Sequence, residues 1–301
     1  MNKKIDILLG TYNGGKYLEN QILSILAQTH KNWSLIIHDD GSTDETSVII
    51  KKYQTIDSRI VLISDDIRFK SAAMNFIHLL KFVESEYIAF CDQDDIWFES
   101  KLEILLGRMK EKDYPLAVYC NSYGYNGKNI TTDQVTLYHR TSLRDSLFLN
   151  GGVQGCCLLF NRRLFEMIID LPNYICMHDH YLTIASIVFG KLEYVDLSLM
   201  LYRQHSNNVT GNIPTSYLQR VKTFFNFSNP VIDKNHYLAN VSFYERFRNE
   251  LTQEQKELFN AYIAFPEKSL FNKILVIIKF KFKIGNSMLP LLLKVLIRKA
   301  I

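Results

Sequence analysis

Asp92, Asp94 and Asp95 fall within four consecutive residues, with only Gln93 among them. Carboxylates this close repel one another. They stay ionised together only where a cation or several hydrogen-bond donors compensate. A hard divalent metal, magnesium or manganese, is the economical answer, and such ions complete their shells with substrate phosphates and water. A solvated acidic turn capping the next helix is the plain alternative. A second cluster, Asp39-Asp40-Gly41-Ser42, reads as a simple turn, because Asp, Gly and Ser are preferred turn formers. It reads equally as a carboxylate accepting hydrogen bonds from a nucleobase or ribose. Thr11-Tyr12-Asn13 is a third polar group.

The elements that must hold these residues are legible from periodicity. Residues 5–10, 33–38, 59–64, 87–91 and 116–120 are short apolar runs, each consistent with a buried strand. Between them, residues 17–27, 43–53, 71–83 and 102–109 carry apolar residues at helical spacing, and Thr43-Asp44 can cap the second of these helices. Strands alternating with amphipathic helices imply βαβ units and a mostly parallel sheet flanked by helices, an α/β class. Ligands of such sheets bind beyond the carboxyl ends of the strands. All three polar clusters sit at that edge, after the first, second and fourth strands.

The second half is less regular. Residues 150–155 form a glycine-rich loop. Residues 157–160 and 193–202 read as strands, and 163–169 and 178–189 as helices. Residues 204–211 are a polar loop, and the chain from residue 214 reads as helices. A change of character near residue 214 is the only domain boundary suggested.

Hydrophobic residues make up 47% of the 301 positions and charged residues 22%, which indicates a folded globular protein rather than a disordered one. Five cysteines without a CxxC pair argue against a zinc ribbon and a disulfide framework and favour a reducing compartment. The N-terminus lacks signal-peptide organisation, and no apolar run is long enough to span a bilayer. A cytoplasmic location is expected. The net charge of +4 is unevenly spread. Residues 268–301 contain eight Lys or Arg and no Asp or Glu, which leaves 27 basic against 31 acidic residues before them. The bulk of the chain therefore does not look like a nucleic-acid binder.

The segments Thr11-Tyr12-Asn13-Gly14-Gly15-Lys16-Tyr17-Leu18, Asp39-Asp40-Gly41-Ser42-Thr43-Asp44 and Phe90-Cys91-Asp92-Gln93-Asp94-Asp95-Ile96-Trp97 resemble the family 2 glycosyltransferases in residues, order and spacing. The likeness is greatest to rhamnosyltransferase-like enzymes of bacterial polysaccharide synthesis. It continues through Met177-His178-Asp179-His180 and Tyr202-Arg203-Gln204-His205-Ser206-Asn207-Asn208, covering roughly residues 3–212. The resemblance implies a GT-A fold, a nucleotide-sugar donor, a divalent metal (Mn2+ or Mg2+) and inversion at the anomeric carbon. It implies a glycosyltransferase domain over 1–213, with a nucleotide-binding half to about 120 and an acceptor half beyond it, and a helical extension over 214–301.

Carried over by position, Thr11, Tyr12, Asn13, Asp39, Asp40, Asp92 and Gln93 would contact the nucleotide sugar. Asp94 would be the principal metal ligand, joined by Asp92, with His205 as a further metal or diphosphate contact. Asp179 would be the catalytic base. Chemistry agrees: the leaving diphosphate needs charge stabilisation, which a metal supplies as a Lewis acid. The attacking hydroxyl must also lose a proton to a general base. No covalent nucleophile is required, so Cys156 and Cys157 read as small buried residues. His178 and His180 are spaced i, i+2, on different helix faces, which favours acceptor contacts or helix-start polarity over a shared metal. One departure concerns residues 69–76, Phe69-Lys70-Ser71-Ala72-Ala73-Met74-Asn75-Phe76, which lack an Asn-x-Gly element common in relatives. Arg68 or Lys70 remain to approach the diphosphate.

Residues 268–301 interleave Lys and Arg with long apolar side chains. This suits an interfacial helix pair on an anionic membrane, or else a helix packed with its lysines outward. A polyprenyl-diphosphate-linked glycan acceptor fits the former, with the enzyme peripheral on the inner face of the cell membrane. The competing functional classes are a non-catalytic nucleotide-sugar-binding protein and a metal-dependent nucleotidyltransferase or phosphohydrolase. The latter usually carries a richer phosphate loop after the first strand than Gly14-Gly15 with Lys16.

Overall fold

The structure is a computed structural model and describes residues 3–109, 112–205, 222 and 224–301. Two compact units are present. One comprises Met1–Thr136, Gln154–Ile169 and Glu193–Ile213, the other Leu137–Val153, Asp170–Leu192 and Pro214–Ile301. The units are thus interleaved along the chain. The boundary expected after residue 213, and the segment Ser206-Asn207-Asn208, lie outside the described residues.

The first unit is built on a sheet. β1 (Ile5–Thr11), β2 (Trp33–Asp39), β3 (Ile60–Leu62) and β4 (Tyr87–Cys91) pair in parallel in the order β3-β2-β1-β4. Their near-continuous apolar runs follow from burial on both faces. Ile5, Ile7 and Leu9 pack with Leu18, Ile22 and Ile25 of α1 (Leu18–Leu26) on one face. On the other face Phe90 meets Phe76 of α3 (Ala72–Leu79) at 5.3 Å. Asp6 is a buried exception. Its carboxylate accepts hydrogen bonds from the Glu84 and Ser85 amides and the Ser85 hydroxyl at 2.7–2.8 Å, which ties the entry of β4 to β1. The remaining helices of this unit are α2 (Thr46–Ile56), α4 (Lys101–Met109) and α6 (Arg162–Ile168).

Beyond β4 the sheet is mixed. β8 (Leu158–Asn161) runs antiparallel to β4 and to β6 (Leu116–Tyr125). β6 therefore points the same way as β4, as a βαβ unit demands, but with β8 inserted between them. β9 (Lys191–Arg203) and the two-residue β5 (Ile96–Trp97) complete the row, and β7 (Ile130–Thr132) pairs with β6. The antiparallel register Ile96↔Leu201 and Trp97↔Met200 brings the end of β9 back to the loop after β4.

The second unit is helical. α5 (Leu143–Ser146), α7 (His178–Phe189) and the helices Lys234–Phe247, Gln253–Ile263, Leu270–Phe280 and Leu289–Ile297 surround an aromatic core. At its centre Phe148 meets Tyr262, Phe265 and Phe282 at ring separations of 4.8–5.2 Å. Thr252 and Gln255 form a reciprocal capping box at the start of Gln253–Ile263, which satisfies two amides the helix cannot. Among the described residues no helix is long and apolar enough to cross a membrane.

Candidate functional site

The parallel register sets the site. Thr11↔Asp39 and Leu9↔Cys91 are aligned, so the loops after β1, β2 and β4 emerge side by side. Thr11 donates to Asp39 Oδ1 at 2.9 Å. The same carboxylate accepts from the Ser42 amide at 3.1 Å and the Ser42 hydroxyl at 2.5 Å. Two left-handed residues make the turn, Gly41 at φ 89° and Asn13 at φ 46°. Glycine adopts that region freely and asparagine tolerates it. The Asn13 amide donates to Ser42 Oγ at 2.8 Å, and Asn13 Oδ1 accepts from the Thr43 amide at 2.8 Å. The β1 and β2 loops are thereby stitched together.

Gln93 and Asp40 have structural partners. Gln93 Oε1 accepts from the Tyr12 amide and its Nε2 donates to the Tyr12 carbonyl, both at 3.0 Å. This side chain imitates a strand and joins the β1 loop to the acidic loop. Gly14 lies opposite it, where a Cβ would require the Gln93 amide to move. Asp40 is buried and accepts from the Phe69 amide at 2.5 Å.

The acidic cluster is divided. Asp94 Oδ2 lies 2.7 Å from His205 Nε2, and the His205 ring stacks on Tyr17 at 5.1 Å. Asp92 groups with Asp95 and Cys156, their ligand-grade atoms all within 4.8 Å of one another. Asp95 is completely buried, and its Oδ1 accepts from the Arg203 amide at 2.9 Å. Burial, followed by the charges of Asp94 and Asp92, pushes its carboxyl well above the usual range. Asp95 thus supports the loop, while Asp94 and Asp92 stay partly exposed. Asp94 and His205 offer a carboxylate and an imidazole in contact, donor types suited to a divalent cation such as manganese, but Asp92 lies with Asp95 and Cys156, and among the described residues Asp92, Asp94 and His205 do not form one group of ligand atoms.

Three further residues hold this geometry and escape a local reading of the sequence. Arg203 Nε donates to the Asp94 carbonyl at 2.7 Å, and its guanidinium lies 4.7 Å from the Tyr17 ring and 5.0 Å from that of Tyr125. Tyr17 therefore packs against both His205 and Arg203. Lys101 is buried beneath them, donating to the Cys156 carbonyl at 2.5 Å with its ammonium 3.5 Å from the Trp97 ring. The one available signal was the polar tail of an otherwise apolar strand, Arg203-Gln204-His205. A cleft of about 820 Å³ lies alongside, lined by α1, Ile96–Phe98, Tyr125 and Arg203. It contains none of Thr11, Asp39 or Asp92, so it is distinct from the floor formed by the three loops.

Cys156 and Cys157 are buried. The hydrogen bond from Cys157 pulls Cys156 down, but burial and the charges of Asp95 and Asp92 carry it well above a normal thiol.

Asp179 belongs to the second unit, at the second position of α7. Its Oδ1 accepts from the His180 amide at 2.6 Å. Burial pushes its carboxyl up to about 6, against the opposing His180 amide and the Arg140 and His236 charges. Burial takes both His178 and His180 down to about 3, so their imidazoles are neutral. Neither belongs to a metal-grade cluster among the described residues. The glycine-rich loop seats the helix start: a Cβ on Gly152 would come within 2.5 Å of the Asp179 carbonyl carbon and oxygen. Gly152→Ala is therefore expected to destabilise by about 1–3 kcal/mol through overpacking, read as a lowered Tm and a lowered transfer rate together.

The Glycosyl transferase family 2 model matches residues 6–169, which contain every residue of the three loops. The chain belongs to this family. It is an enzyme of the glycosyltransferase class. The dTDP-rhamnosyl transferase RfbG of Shigella flexneri is 31% identical over 226 residues, covering 67% of this chain and 73% of that protein. The UDP-Glc:alpha-D-GlcNAc-diphosphoundecaprenol beta-1,3-glucosyltransferase WfgD of Escherichia coli is 26% identical over 214 residues, covering 69% of this chain and 80% of that protein. Among solved structures, S. aureus TarS 1-349 in complex with UDP-GlcNAc aligns at TM-score 0.61 and 15% identity, covering 97% of this glycosyltransferase and 79% of that 1-349 chain. The mannosyltransferase PcManGT of Pyrobaculum calidifontis, in complex with GDP-Man and Mn2+, aligns at TM-score 0.55 and 13% identity, covering 97% and 84%. The fold is GT-A, an α/β sheet flanked by helices with a C-terminal helical region.

Proposed function

We propose that this glycosyltransferase moves a sugar, with inversion, from a nucleotide-diphosphate donor to a hydroxyl of a growing, lipid-linked bacterial surface polysaccharide. The observation that carries this reading is the Asp94–His205 contact beside Asp92, next to the Thr11–Asp39–Ser42 network at the neighbouring strand ends. dTDP-rhamnose and UDP-hexoses are the donor classes suggested by the relatives named for such transfers. WfgD, named for a diphosphoundecaprenol acceptor, supports the lipid-linked acceptor. The catalytic region is residues 1–213, with donor contacts concentrated before residue 120, and 214–301 is the helical extension.

The reading assigns the following roles. Thr11 and Asp39 present acceptors and donors to the nucleoside, on a floor held by Asn13 and Ser42. Tyr12, Gln93 and Asp40 position that floor by tying adjacent loops. Asp94 and His205, with Asp92 beside them, would hold a divalent cation, Mn2+ or Mg2+. When bound, that ion stabilises the negative charge that develops on the leaving diphosphate. Asp179 accepts the proton of the acceptor hydroxyl as its oxygen bonds to the anomeric carbon and the bond to the diphosphate breaks. A thermal-shift panel of dTDP-, UDP- and GDP-sugars with manganese tests the donor assignment. One donor should raise Tm by mass action. A panel in which no nucleotide sugar moves Tm, with or without manganese, overturns it.

The helical extension carries the membrane assignment. Phe271, Leu275 and Ile278 are exposed on Leu270–Phe280, and Leu289, Leu293 and Leu296 on Leu289–Ile297. With eight basic and no acidic residues from 268 onward, this apolar face suits an anionic bilayer surface. Ile277, Phe282, Leu291 and Val295 of the same segment are buried, so deletion would also damage the core. Phe271→Glu with Leu275→Glu leaves that core alone and is expected to abolish sedimentation with anionic vesicles at unchanged Tm. Undiminished vesicle binding by the double variant would remove the membrane reading.

A further inference from the structure

A second cluster lies behind the nucleoside floor. His38 precedes Asp39 on β2 and is completely buried. Its Nδ1 stands 2.6 Å from Asn75 Oδ1. The Asn75 amide is oriented by Nδ2, which donates to the His38 carbonyl at 3.4 Å. A proton on Nδ1 suits this contact. On the other side His38 Nε2 faces Asp65 Oδ1 at 3.0 Å, and His78 Nε2 faces Asp65 Oδ2 at 2.8 Å. Phe69 packs on both imidazoles and Phe82 on that of His78.

An ionised carboxylate only accepts. With Nδ1 turned to the Asn75 side chain, His38 Nε2 faces the Asp65 carboxylate, as His78 Nε2 does from the other side, an arrangement that a metal ion between them satisfies.

We propose that His38 Nε2, the Asp65 carboxylate and His78 Nε2 form a site for a zinc-type divalent metal that pins the 63–71 loop to the end of β2. The three side chains offer one ligand atom each, all within 4.8 Å of one another. Two imidazoles and one carboxylate suit zinc and its borderline neighbours, whereas magnesium and calcium prefer all-oxygen sets. The His38 Nδ1–H bond to Asn75 is the outer partner that orients a ligating imidazole. The Asp65 side chain is 25% exposed, which leaves an entry path and a position for water. Bonds of about 2.0 Å in a tetrahedron place ligand atoms roughly 3.3 Å apart. The observed 2.8 and 3.0 Å separations run to different Asp65 oxygens, so one oxygen would turn toward both imidazoles, within a set of ligand atoms already within 4.8 Å of one another.

The site shares no residue with Asp92, Asp94 and His205. Its consequence is mechanical. The pinned loop donates the Phe69 amide to Asp40 at 2.5 Å and lays Arg68 against Gly41, where a Cβ would come within 2.7 Å of the Arg68 Nε. The metal would stiffen the turn that holds Asp39 and Ser42.

The test is metal analysis of the full-length untagged protein, purified without chelator. About one zinc per chain is expected, with Tm lowered on chelation and restored by zinc alone. Asp65→Asn and His78→Gln should each lose the zinc while Asp94→Ala keeps it, with far-UV circular dichroism verifying that each variant is folded. Cobalt-loaded wild-type protein should show the intense visible absorption of tetrahedral cobalt. That spectrum decides the matter if the variants do not fold. Protein that neither retains zinc nor shifts in Tm with added zinc, as a cluster sharing only a proton would behave, overturns the proposal. So does zinc that survives both Asp65→Asn and His78→Gln or leaves with Asp94→Ala, or cobalt without a tetrahedral spectrum.

Discussion

Asp94→Ala is expected to reduce sugar transfer by ~10²–10³-fold or more, the scale seen when one preorganised electrostatic contact to developing charge is removed. The fold should survive. The Asp94 side chain is partly exposed and meets His205, whereas Arg203 is held by the Asp94 backbone carbonyl, which alanine keeps. The β5–β9 register therefore persists in the variant. The same argument separates the neighbouring carboxylates. Asp95 is buried with its carboxyl pushed well above the usual range by burial and by Asp94 and Asp92. Asp95→Asn preserves the Oδ1 that accepts from the Arg203 amide and should lose far less activity than Asp94→Ala. Transfer assays with manganese, alongside Tm for each variant, check the ordering. Full turnover in Asp94→Ala, or an Asp95→Asn loss equal to it, would show that the cation is held elsewhere.

The parallel half of the sheet was legible because β1, β2 and β4 are buried on both faces and so read as near-continuous apolar runs, interrupted only by Asp6, Ser34 and His38 before their polar ends. Their polar stops, Thr11, Asp39 and Asp92, mark one edge once the strands are parallel. The antiparallel insertion of β8 between β4 and β6 was not legible. A four-residue apolar strand carries no sign of direction, and tertiary pairing alone decides it. The same limit hid Arg203 and Tyr17. Arg203 meets Asp94 across 109 positions of sequence, through a strand pairing only two residues long. His38 was equally silent, since one histidine in an apolar run reads as core until Asp65 and His78 are brought against it. Gln93 illustrates the converse. Its place in the acidic motif suggested a ligand contact, and the structure adds a role that no local reading offers, since its two amide atoms pair with the Tyr12 backbone and align two loops.

Asp179→Asn is expected to lower transfer by ~10²–10⁴-fold, the usual worth of a general base, while leaving donor affinity intact. Two signatures distinguish this from a structural defect. First, burial sets the Asp179 carboxyl at about 6. It must be ionised to accept a proton, so the native rate should fall as pH drops through about 6 and level off above it, and the variant should lack that limb. Second, the raised value has a stability consequence of fixed sign. The folded state binds the proton more tightly than the unfolded chain, whose Asp titrates near 3.9. The stability this contributes is present in acid and is lost as pH rises through about 6. Above that pH the buried charge costs on the order of 2–3 kcal/mol. Asparagine removes the charge and still accepts from the His180 amide, so Asp179→Asn should be more stable than the native enzyme at pH 8, by a few degrees in Tm, and nearly equal to it at pH 4. A catalytic carboxylate thus predicts activity lost and stability gained by one substitution. A carboxylate that only supports the start of α7 predicts that both fall together, and that result would remove Asp179 as the base.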